Sequence, residues 1–342
     1  MKLSWQRREV HLRHPFNIAR TQRDSVTSRQ VLLASIEHRG VVGWGESAPS
    51  SYYRQSLDSG ERVFEAAAGM LGSDPFAIVP VLERLWERFE GESAAIAAID
   101  AALHDLVGKL LGVPVWRLLG LDPQRVPLTS FTIGIDDLEV IERKVAEAAG
   151  YPLLKIKVGT PQDEQILQAI RRGAPDKPLR VDANCGWTSA NVMEMCRLMV
   201  RYGVEFVEQP TAPGDYEGLA GVRRAGVTPL IADESCVGYR DVLACAPHFD
   251  GINIKLSKCG GIRRALQMIH TARSAGMKVM LGCMVETSVG IAAAAQLAPL
   301  VDYLDLDGHL LLADDPFEGI GGQQGRITLS DRPGLGVVER RT

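Results

Sequence analysis

A short apolar, β-prone run that ends in a charged residue recurs through the second half of the chain. Seven β-prone runs occur between positions 153 and 308, and all except KVMLGC carry a charged residue near their C-terminal end: LLKIKV, LRVDAN, EFVEQP, PLIADES, GINIKLS, KVMLGC and YLDLDG. The charged positions near the ends of the first five are spaced 22 to 26 residues apart, and they are Lys157, Asp182, Glu208, Asp233 and Lys255. A strand, a helix and two loops use about that length in a (β/α) barrel. The spacing therefore predicts a barrel.

The run LTSFTIG, which ends near Thr132, supplies a first strand ahead of these seven, and DDLEVIERKVAEAAG supplies its helix. Eight strands with seven crossovers correspond to an α/β fold, a modified TIM barrel of the (β/α)7β type. In such barrels the C-terminal ends of the strands meet on the catalytic face. We therefore expect one pocket to hold three carboxylates flanked by two lysines.

Three convergent carboxylates repel one another unless a cation lies between them. Oxygen ligands without histidine or cysteine favour Mg²⁺ over Zn²⁺, and Mn²⁺ is the expected substitute. A desolvated lysine beside that ion should have a lowered pKa and could exchange protons near neutral pH. The set is thus suited to removing the α-proton of a carboxylate through an enediolate. Two lysines on opposite faces would allow racemisation or epimerisation.

Each of these residues has a more ordinary interpretation when taken alone. A lysine inside an apolar run is usually an edge residue whose amino group reaches solvent. A Schiff-base lyase on the same barrel needs one buried lysine but no ring of three acids. The regular coincidence of all five positions with strand ends favours the metal and proton-transfer interpretation.

The motifs KIK (155–157), DAN (182–184), EQP (208–210), DES (233–235) and NIKLSKCGG (253–261) resemble the enolase superfamily, in its muconate-lactonizing-enzyme subgroup. The sequences GCMVETSVG (282–290) and DLD (305–307), the latter followed by GHLLL, are similar to those of the dipeptide epimerases, typified by L-Ala-D/L-Glu epimerase. The resemblance covers nearly the whole chain, since HPFNIAR, GWGESAP and AAIDAALHDLVGK also match the N-terminal domain of that family.

The resemblance implies a set of residue roles. Mg²⁺ would be bound by Asp182, Glu208 and Asp233. The acid/base pair would be Lys157 and Lys255. The expected substrate contacts are Lys155 near the substrate carboxylate, Asp305 and Asp307 on the α-ammonium group, and Thr132, Cys283 and Met284.

Arg23, in IARTQRDS, is a further candidate. Some members of the family that act on Glu-terminated dipeptides carry an arginine in this region that pairs with the side-chain carboxylate. A guanidinium facing a carboxylate gives a physical basis for such a preference. A surface ion pair is the alternative for Arg23.

Composition sets limits on partners and location. The 342 residues carry a formal net charge of −4 without a block of basic residues, which argues against nucleic acid as a partner. Six scattered cysteines without CxxC spacing favour a reducing compartment. No apolar leader or membrane-length segment is evident, so a cytoplasmic protein without a membrane partner is expected. A homo-oligomer is possible.

Domain organisation is predicted to divide near Val126. Residues 1–125 form an α+β capping domain, 126–308 the barrel, and 309–342 a C-terminal segment that packs back on the cap. Two loops of the cap, Ile18 to Ser28 and Ser47 to Gln55, are expected to cover the pocket and exclude water from it.

Three functions from different classes stay open. The first is Mg²⁺-dependent epimerisation of a dipeptide at the α-carbon of its C-terminal residue. The second is a lyase of the same subgroup, such as an o-succinylbenzoate synthase or a cycloisomerase, which has no need for an ammonium-binding Asp-x-Asp. The third is a non-catalytic protein on a retained barrel, and the intact set of five charged residues weighs against it.

Overall fold

The structure is a computed structural model that describes residues 1–19, 26–322 and 324–340. Arg23 therefore lies outside the described residues. None of the helices in the described ranges combines the length and the apolar character that crossing a bilayer requires.

An antiparallel sheet and four helices make up the N-terminal part. The sheet has the order β1-β2-β3, formed by Lys2–Phe16 (β1), Val26–His38 (β2) and Val41–Ser47 (β3). The helices are Leu57–Ala68 (α1), Ile78–Arg88 (α2), Ser93–Leu111 (α3) and Val115–Leu118 (α4). The predicted α+β composition of this region is thus observed.

The middle of strand β2 is buried on both faces. Leu32, Ala34 and Ile36 pack in one hydrophobic core with the cap helices, whereas Val31 and Leu33 belong to the core of the barrel. Because successive side chains of a strand point to opposite faces, the odd-numbered residues of β2 face the barrel.

Helix α3 is the Ala-rich run, buried along most of its length. It ends at Leu111, because Gly112 takes the left-handed conformation with φ of 70° that terminates a helix readily. A Cβ on Gly45 of β3 would lie 1.9 Å from the carbonyl oxygen of Ala98 in α3. Glycine therefore allows the strand and the helix to touch backbone to backbone.

The barrel consists of eight parallel strands in one sheet with the order β4 to β11. The strands are Phe131–Ile133 (β4), Leu154–Lys157 (β5), Leu179–Asp182 (β6), Val204–Glu208 (β7), Leu230–Ala232 (β8), Gly251–Ile254 (β9), Lys278–Gly282 (β10) and Tyr303–Asp305 (β11). A bridge between Thr129 and Leu304 joins the two ends of the sheet and nearly closes it. The predicted fold class is confirmed.

Helices lie between successive strands. They are Leu138–Glu147 (α5), Asp163–Gly173 (α6), Val192–Arg201 (α7), Glu217–Arg224 (α8), Asp241–Cys245 (α9), Leu256–Cys259 (α10), Ile262–Ser274 (α11) and Ser288–Ala295 (α12). The connection after β9 thus contains both a short turn of helix and a full helix.

The last part of the chain returns to the cap. It contains the short antiparallel pair Phe317–Glu318 (β12) and Val338–Glu339 (β13). Isolated bridges join Leu12 to Leu312 and Pro114 to Gly334. The backbone N–H of Leu335 also donates to the buried carboxylate of Asp105 in α3, at 2.7 Å.

Candidate active site

The charged positions predicted from the repeat converge at one end of the barrel. Lys157, Asp182, Glu208 and Asp305 are the last residues of their strands, and Asp233 and Lys255 directly follow theirs. A cavity of about 650 Å³ opens above them, and here it is called the cup. Its walls include Lys157, Asn184, Asp233, Lys255, Thr132, Cys283, Met284, Asp305 and Asp307 from the barrel, and Arg29, Tyr52 and Tyr53 from the cap.

The three acids form a tight cluster. One carboxylate oxygen from each of Asp182, Glu208 and Asp233 lies within 4.8 Å of the other two. All three side chains are buried, and burial together with the charge of Asp182 raises the pKa of Glu208 to about 8. An all-oxygen set with this much mutual repulsion fits a divalent cation such as Mg²⁺.

Each carboxylate of the cluster has one oxygen held by a neighbouring donor. Asn184 N donates to Asp182 Oδ1 at 2.9 Å, and Asn253 Nδ2 donates to Glu208 Oε1 at 2.7 Å. Lys258 Nζ donates to Asp233 Oδ1 at 2.5 Å and also to three backbone carbonyls. The second oxygens contact Lys155, Lys157 and Lys255, so the donors orient them toward the same region.

The two candidate bases contact opposite members of the cluster. Lys157 Nζ lies 2.7 Å from Asp182 Oδ2, and Lys255 Nζ lies 2.8 Å from Asp233 Oδ2. Burial opposes the charge of Lys255, but Asp233 and Glu208 outweigh it and raise its pKa well above the usual value. A cation that took up the charge of these two acids would remove that cause. The lowered pKa expected from the sequence refers to a lysine beside a bound divalent cation, and it stays a prediction.

Lys155 lies deeper than Lys157 and Lys255 and is only 1% exposed. Its Nζ is 2.7 Å from Glu208 Oε2 and 2.5 Å from Asp305 Oδ2. Despite burial, these acids and Asp182 raise its pKa well above the usual value. Lys155 therefore links the cluster of three acids to Asp305 at the end of the last strand.

The two aspartates of the DLD motif differ in their partners. Ser130 Oγ and Lys155 Nζ bind the carboxylate of Asp305, whereas Asp307 Oδ2 accepts from the backbone N–H of Thr132 at 2.6 Å. Burial and the charge of Asp305 raise the pKa of Asp307 to about 6. Among the described residues no cation forms an ion pair with Asp307, so this acid is available for a positively charged ligand.

The remaining substrate-contact candidates lie in the same wall of the cup; they are Thr132, Cys283 and Met284. Thr132 contributes its backbone N–H to Asp307, and Cys283 Sγ lies 3.2 Å from the carbonyl oxygen of Asp305. Burial raises the pKa of the Cys283 thiol well above its usual value, which disfavours the reactive thiolate form. Met284 lines the cup beside it.

Three residues at the site were not predicted from the sequence: Lys258 and Asn253, which hold carboxylates of the cluster, and Glu46 of the cap. The second lysine of NIKLSKCGG is the one signal that could have pointed to Lys258. Glu46 of β3 accepts from Thr287 N at 3.0 Å and from Gly290 N at 3.1 Å, at the start of α12. Burial and Glu286 raise the pKa of Glu46 to about 8. The cap thus holds the loop that carries Cys283 and Met284.

Two family models match the chain. Residues 3–120 match the mandelate racemase/muconate lactonizing enzyme N-terminal domain, and residues 139–341 match the enolase C-terminal domain-like family. The chain belongs to the mandelate racemase/muconate lactonizing enzyme family. This agrees with the strand-end lysines and carboxylates and confirms the resemblance found in the sequence.

Relatives that match this chain over nearly its whole length belong to a narrower group within this family. An L-Ala-D/L-Glu epimerase of Bacteroides thetaiotaomicron is 40% identical, with 99% of this chain and 88% of that one covered. A dipeptide epimerase of Enterococcus faecalis, in complex with Mg and L-Leu-L-Tyr, matches with a TM-score of 0.91 at 34% identity and 98% coverage of both chains. One from Methylococcus capsulatus, in complex with Mg and L-Arg-D-Lys, has a TM-score of 0.91 at 33% identity, with 99% and 100% covered. The predicted enzyme class, an isomerase of the epimerase type, is confirmed at the level of these relatives.

Proposed function

We propose that this protein is a Mg²⁺-dependent dipeptide epimerase that inverts the α-carbon of the C-terminal residue. The observation that carries the proposal is the placement of Lys157 and Lys255 on β5 and directly after β9, four strands apart in an eight-stranded barrel. Two lysines so placed face a bound substrate from opposite sides. One can remove the α-proton while the other supplies a proton to the opposite face. The total number of protons on the two lysines is therefore unchanged after one turnover.

Asp182, Glu208 and Asp233 would hold the metal ion. When bound, Mg²⁺ supplies positive charge that stabilises the negative charge developing on the substrate carboxylate as the α-proton leaves. Asn184, Asn253 and Lys258 keep the three carboxylates in place, so little reorganisation accompanies binding. Mn²⁺ is expected to substitute, because it also prefers oxygen ligands.

Asp307, together with Asp305, would bind the α-ammonium group of the dipeptide. A buried carboxylate without a cationic partner is costly, and a substrate ammonium group would supply that partner. This contact fixes the distance from the free N-terminus to the reacting α-carbon, which is the distance across one peptide bond. A lyase of the same subgroup has no such requirement.

The test is incubation of the purified protein with Mg²⁺ and a library of L,L-dipeptides in D₂O, followed by mass spectrometry and chiral analysis. We expect a gain of about one mass unit, from one α-deuterium, together with formation of L,D-dipeptide. N-acetylated dipeptides serve as matched controls, and we expect them to react poorly. Equal reaction of free and acetylated forms would move the lyase function ahead of the epimerase.

The cytoplasmic location, the absence of a nucleic-acid partner and the possible homo-oligomer stay predictions. Size-exclusion chromatography with light scattering measures the assembly state, and cell fractionation measures the location.

A further inference from the structure

The backbone around Lys157 and the backbone around Lys255 are held by different parts of the molecule. Lys157 is paired in register with Asp182 in the ladder of β5 and β6. In the turn that follows it, Gly159 N donates to both carboxylate oxygens of Asp163 in α6, at 2.9 and 3.0 Å. Strand and helix of the barrel itself thus fix the place of Lys157.

Lys255 instead directly follows β9 and opens the segment 255–261, here called the lysine turn. Its carbonyl oxygen accepts from Lys258 N at 3.0 Å, so α10 is wound directly onto it. The segment ends at Gly260 and Gly261, which have φ of 90° and 110°. A shift of the lysine turn would therefore move Lys255 as well.

Helix α3 of the cap contacts the lysine turn near its start and directly after its end. Ser93, the first residue of α3, donates from Oγ to the carbonyl oxygen of Ser257 at 2.8 Å. Two turns further along, Asp100 accepts through Oδ2 from Ile262 N and Arg263 N, which begin α11. A carboxylate suits this position, because the first N–H groups of a helix lack intrahelical partners and attract negative charge.

The contact at the end of the lysine turn is close and buried. The Asp100 side chain is fully buried, and a Cβ added to Gly261 would lie 2.2 Å from its Oδ2. A Cβ added to Gly260 would lie 2.0 Å from the ring of Trp86 in α2. On the other side, His104 Nδ1 lies 2.8 Å from the Asp100 carbonyl oxygen and 3.2 Å from its Oδ1. Glycine at both positions thus permits the turn to pack directly on the cap.

We propose that Asp100 is a positioning residue through which the cap sets the place of Lys255, whereas the barrel itself sets the place of Lys157. This inference rests on the proposed function, in which the two lysines serve opposite faces of the substrate α-carbon. Misplacement of a reacting group by about 1 Å can cost about a hundredfold in rate. Loss of the Asp100 contact should therefore slow proton transfer by Lys255 and leave proton transfer by Lys157 nearly unchanged.

The experiment measures the two lysines separately. In Lys157→Ala only Lys255 can exchange the α-proton of a dipeptide for deuterium, and in Lys255→Ala only Lys157 can. Asp100→Asn is added to each variant, and proton NMR follows exchange in D₂O at saturating dipeptide. Mg²⁺ is also kept saturating, because Lys258 of the lysine turn holds Asp233. We expect kcat for exchange to fall about tenfold in the Lys157→Ala background and less than about twofold in the Lys255→Ala background.

Two further variants complete the test. Ser93→Ala removes the other contact of α3 with the lysine turn, and it should show the same asymmetry to a smaller extent. Asp105→Asn is the matched control, because Asp105 is a buried acid of the same helix that accepts from Leu335 N and Trp44 N instead. It should lower the midpoint of urea unfolding and change the two exchange rates by the same factor.

Equal losses in the two backgrounds would overturn the inference, and so would undiminished exchange by Lys255 in Asp100→Asn. If Asp100→Asn does not fold, the asymmetry of Ser93→Ala decides in the same way. If wild type exchanges the α-proton of no dipeptide at all, the proposed function itself fails. The two failures are thus distinguishable.

Discussion

In the proposed reaction, Lys157 and Lys255 must each be neutral at the moment they accept an α-proton. In the structure each is held beside an acid of the cluster, and for Lys255 the acids raise the pKa well above the usual value. A metal ion that takes up the charge of Asp233 and Glu208 would remove this stabilisation of the protonated lysine. In the proposed reaction, binding of the ion and deprotonation of the lysine would therefore be coupled through the same two carboxylates.

The first prediction concerns these lysines. Lys157→Ala and Lys255→Ala should each abolish epimerisation, since inversion needs one lysine to take a proton and the other to give one. Each variant should still exchange the α-proton of one stereoisomer, because the remaining lysine can remove and return a proton on its own side. Proton NMR of L,L- and L,D-dipeptides in D₂O measures both rates. If either variant epimerises at a rate near wild type, these two lysines are not the acid/base pair.

The second prediction concerns pH and Asp307. The pKa of this carboxyl group is raised to about 6 by burial and by Asp305, and only its ionised form attracts an ammonium group. We expect kcat/KM for free dipeptides to fall as the pH is lowered through about 6. The loss of one charge-assisted contact corresponds to about 1.5 to 3 kcal/mol, or about ten- to a hundredfold.

Asp307→Asn is the matched variant, because the amide keeps the shape but cannot ionise. It should have low kcat/KM at neutral pH and lack the fall near pH 6, whereas kcat should change less than KM. A pH profile of the variant that is parallel to that of wild type would show that another group causes the fall.

At the scale of elements, the strand ends were predictable because one physical constraint fixes them. Parallel strands bury both faces, so the apolar run ends where the side chain meets the pocket, and Lys157, Asp182 and Glu208 are indeed the last residues of β5, β6 and β7. The roles assigned to them stay predictions. The contacts of Asn253, Lys258 and Ser130 could not be predicted, because they depend on how side chains from different segments meet.

Helix ends show the same limit. Gly112 ends α3 in the left-handed conformation, and a glycine at a helix end is a signal that can be read locally in a sequence. Glu46 holds the start of α12 from 241 residues earlier in the chain, and no local pattern could reveal that contact. The contact fixes the loop with Cys283 and Met284 relative to the cap.

The third prediction tests the close approach of β3 and α3. In Gly45→Ala the added Cβ would meet the Ala98 carbonyl oxygen at 1.9 Å, so the strand and helix must move apart. We expect a loss of about 1 to 3 kcal/mol in the free energy of unfolding. Gly238→Ala is the control, since a Cβ there has no heavy atom within 4 Å. Urea unfolding measures both variants, and equal stability of the two would contradict the packing argument.

At the scale of the whole molecule, residues of both the cap and the barrel line the cup. The barrel supplies the carboxylates and lysines, while the cap supplies Arg29, Tyr52 and Tyr53. The predicted division near Val126 stays a prediction. If the chain divides there, the residues that move protons and the residues that select the substrate lie largely in different domains. Substitutions in the part of the cap that lines the cup should then change specificity and leave metal binding intact.

The fourth prediction concerns metal removal. Asp182, Glu208 and Asp233 lie buried with oxygens within 4.8 Å of one another, so a divalent cation should bind the folded chain and scarcely bind the unfolded one. Treatment with EDTA should abolish epimerisation, and Mg²⁺ or Mn²⁺ should restore it. A ligand present at a hundred times its dissociation constant stabilises a protein by about 2.7 kcal/mol, so Mg²⁺ should also raise Tm in a concentration-dependent way.

Glu208→Gln separates this binding from general effects of salt. The amide removes one of the three anionic ligands, so the rise of Tm with Mg²⁺ should shrink or vanish in the variant. Ionic strength is held constant with NaCl in both series, because screening of surface charges alone would shift the two proteins equally. Differential scanning fluorimetry gives the shifts, and isothermal titration calorimetry gives the affinity without any need for turnover. If Glu208→Gln keeps the wild-type response to Mg²⁺, the ion binds elsewhere, and the strand-end carboxylates need another explanation.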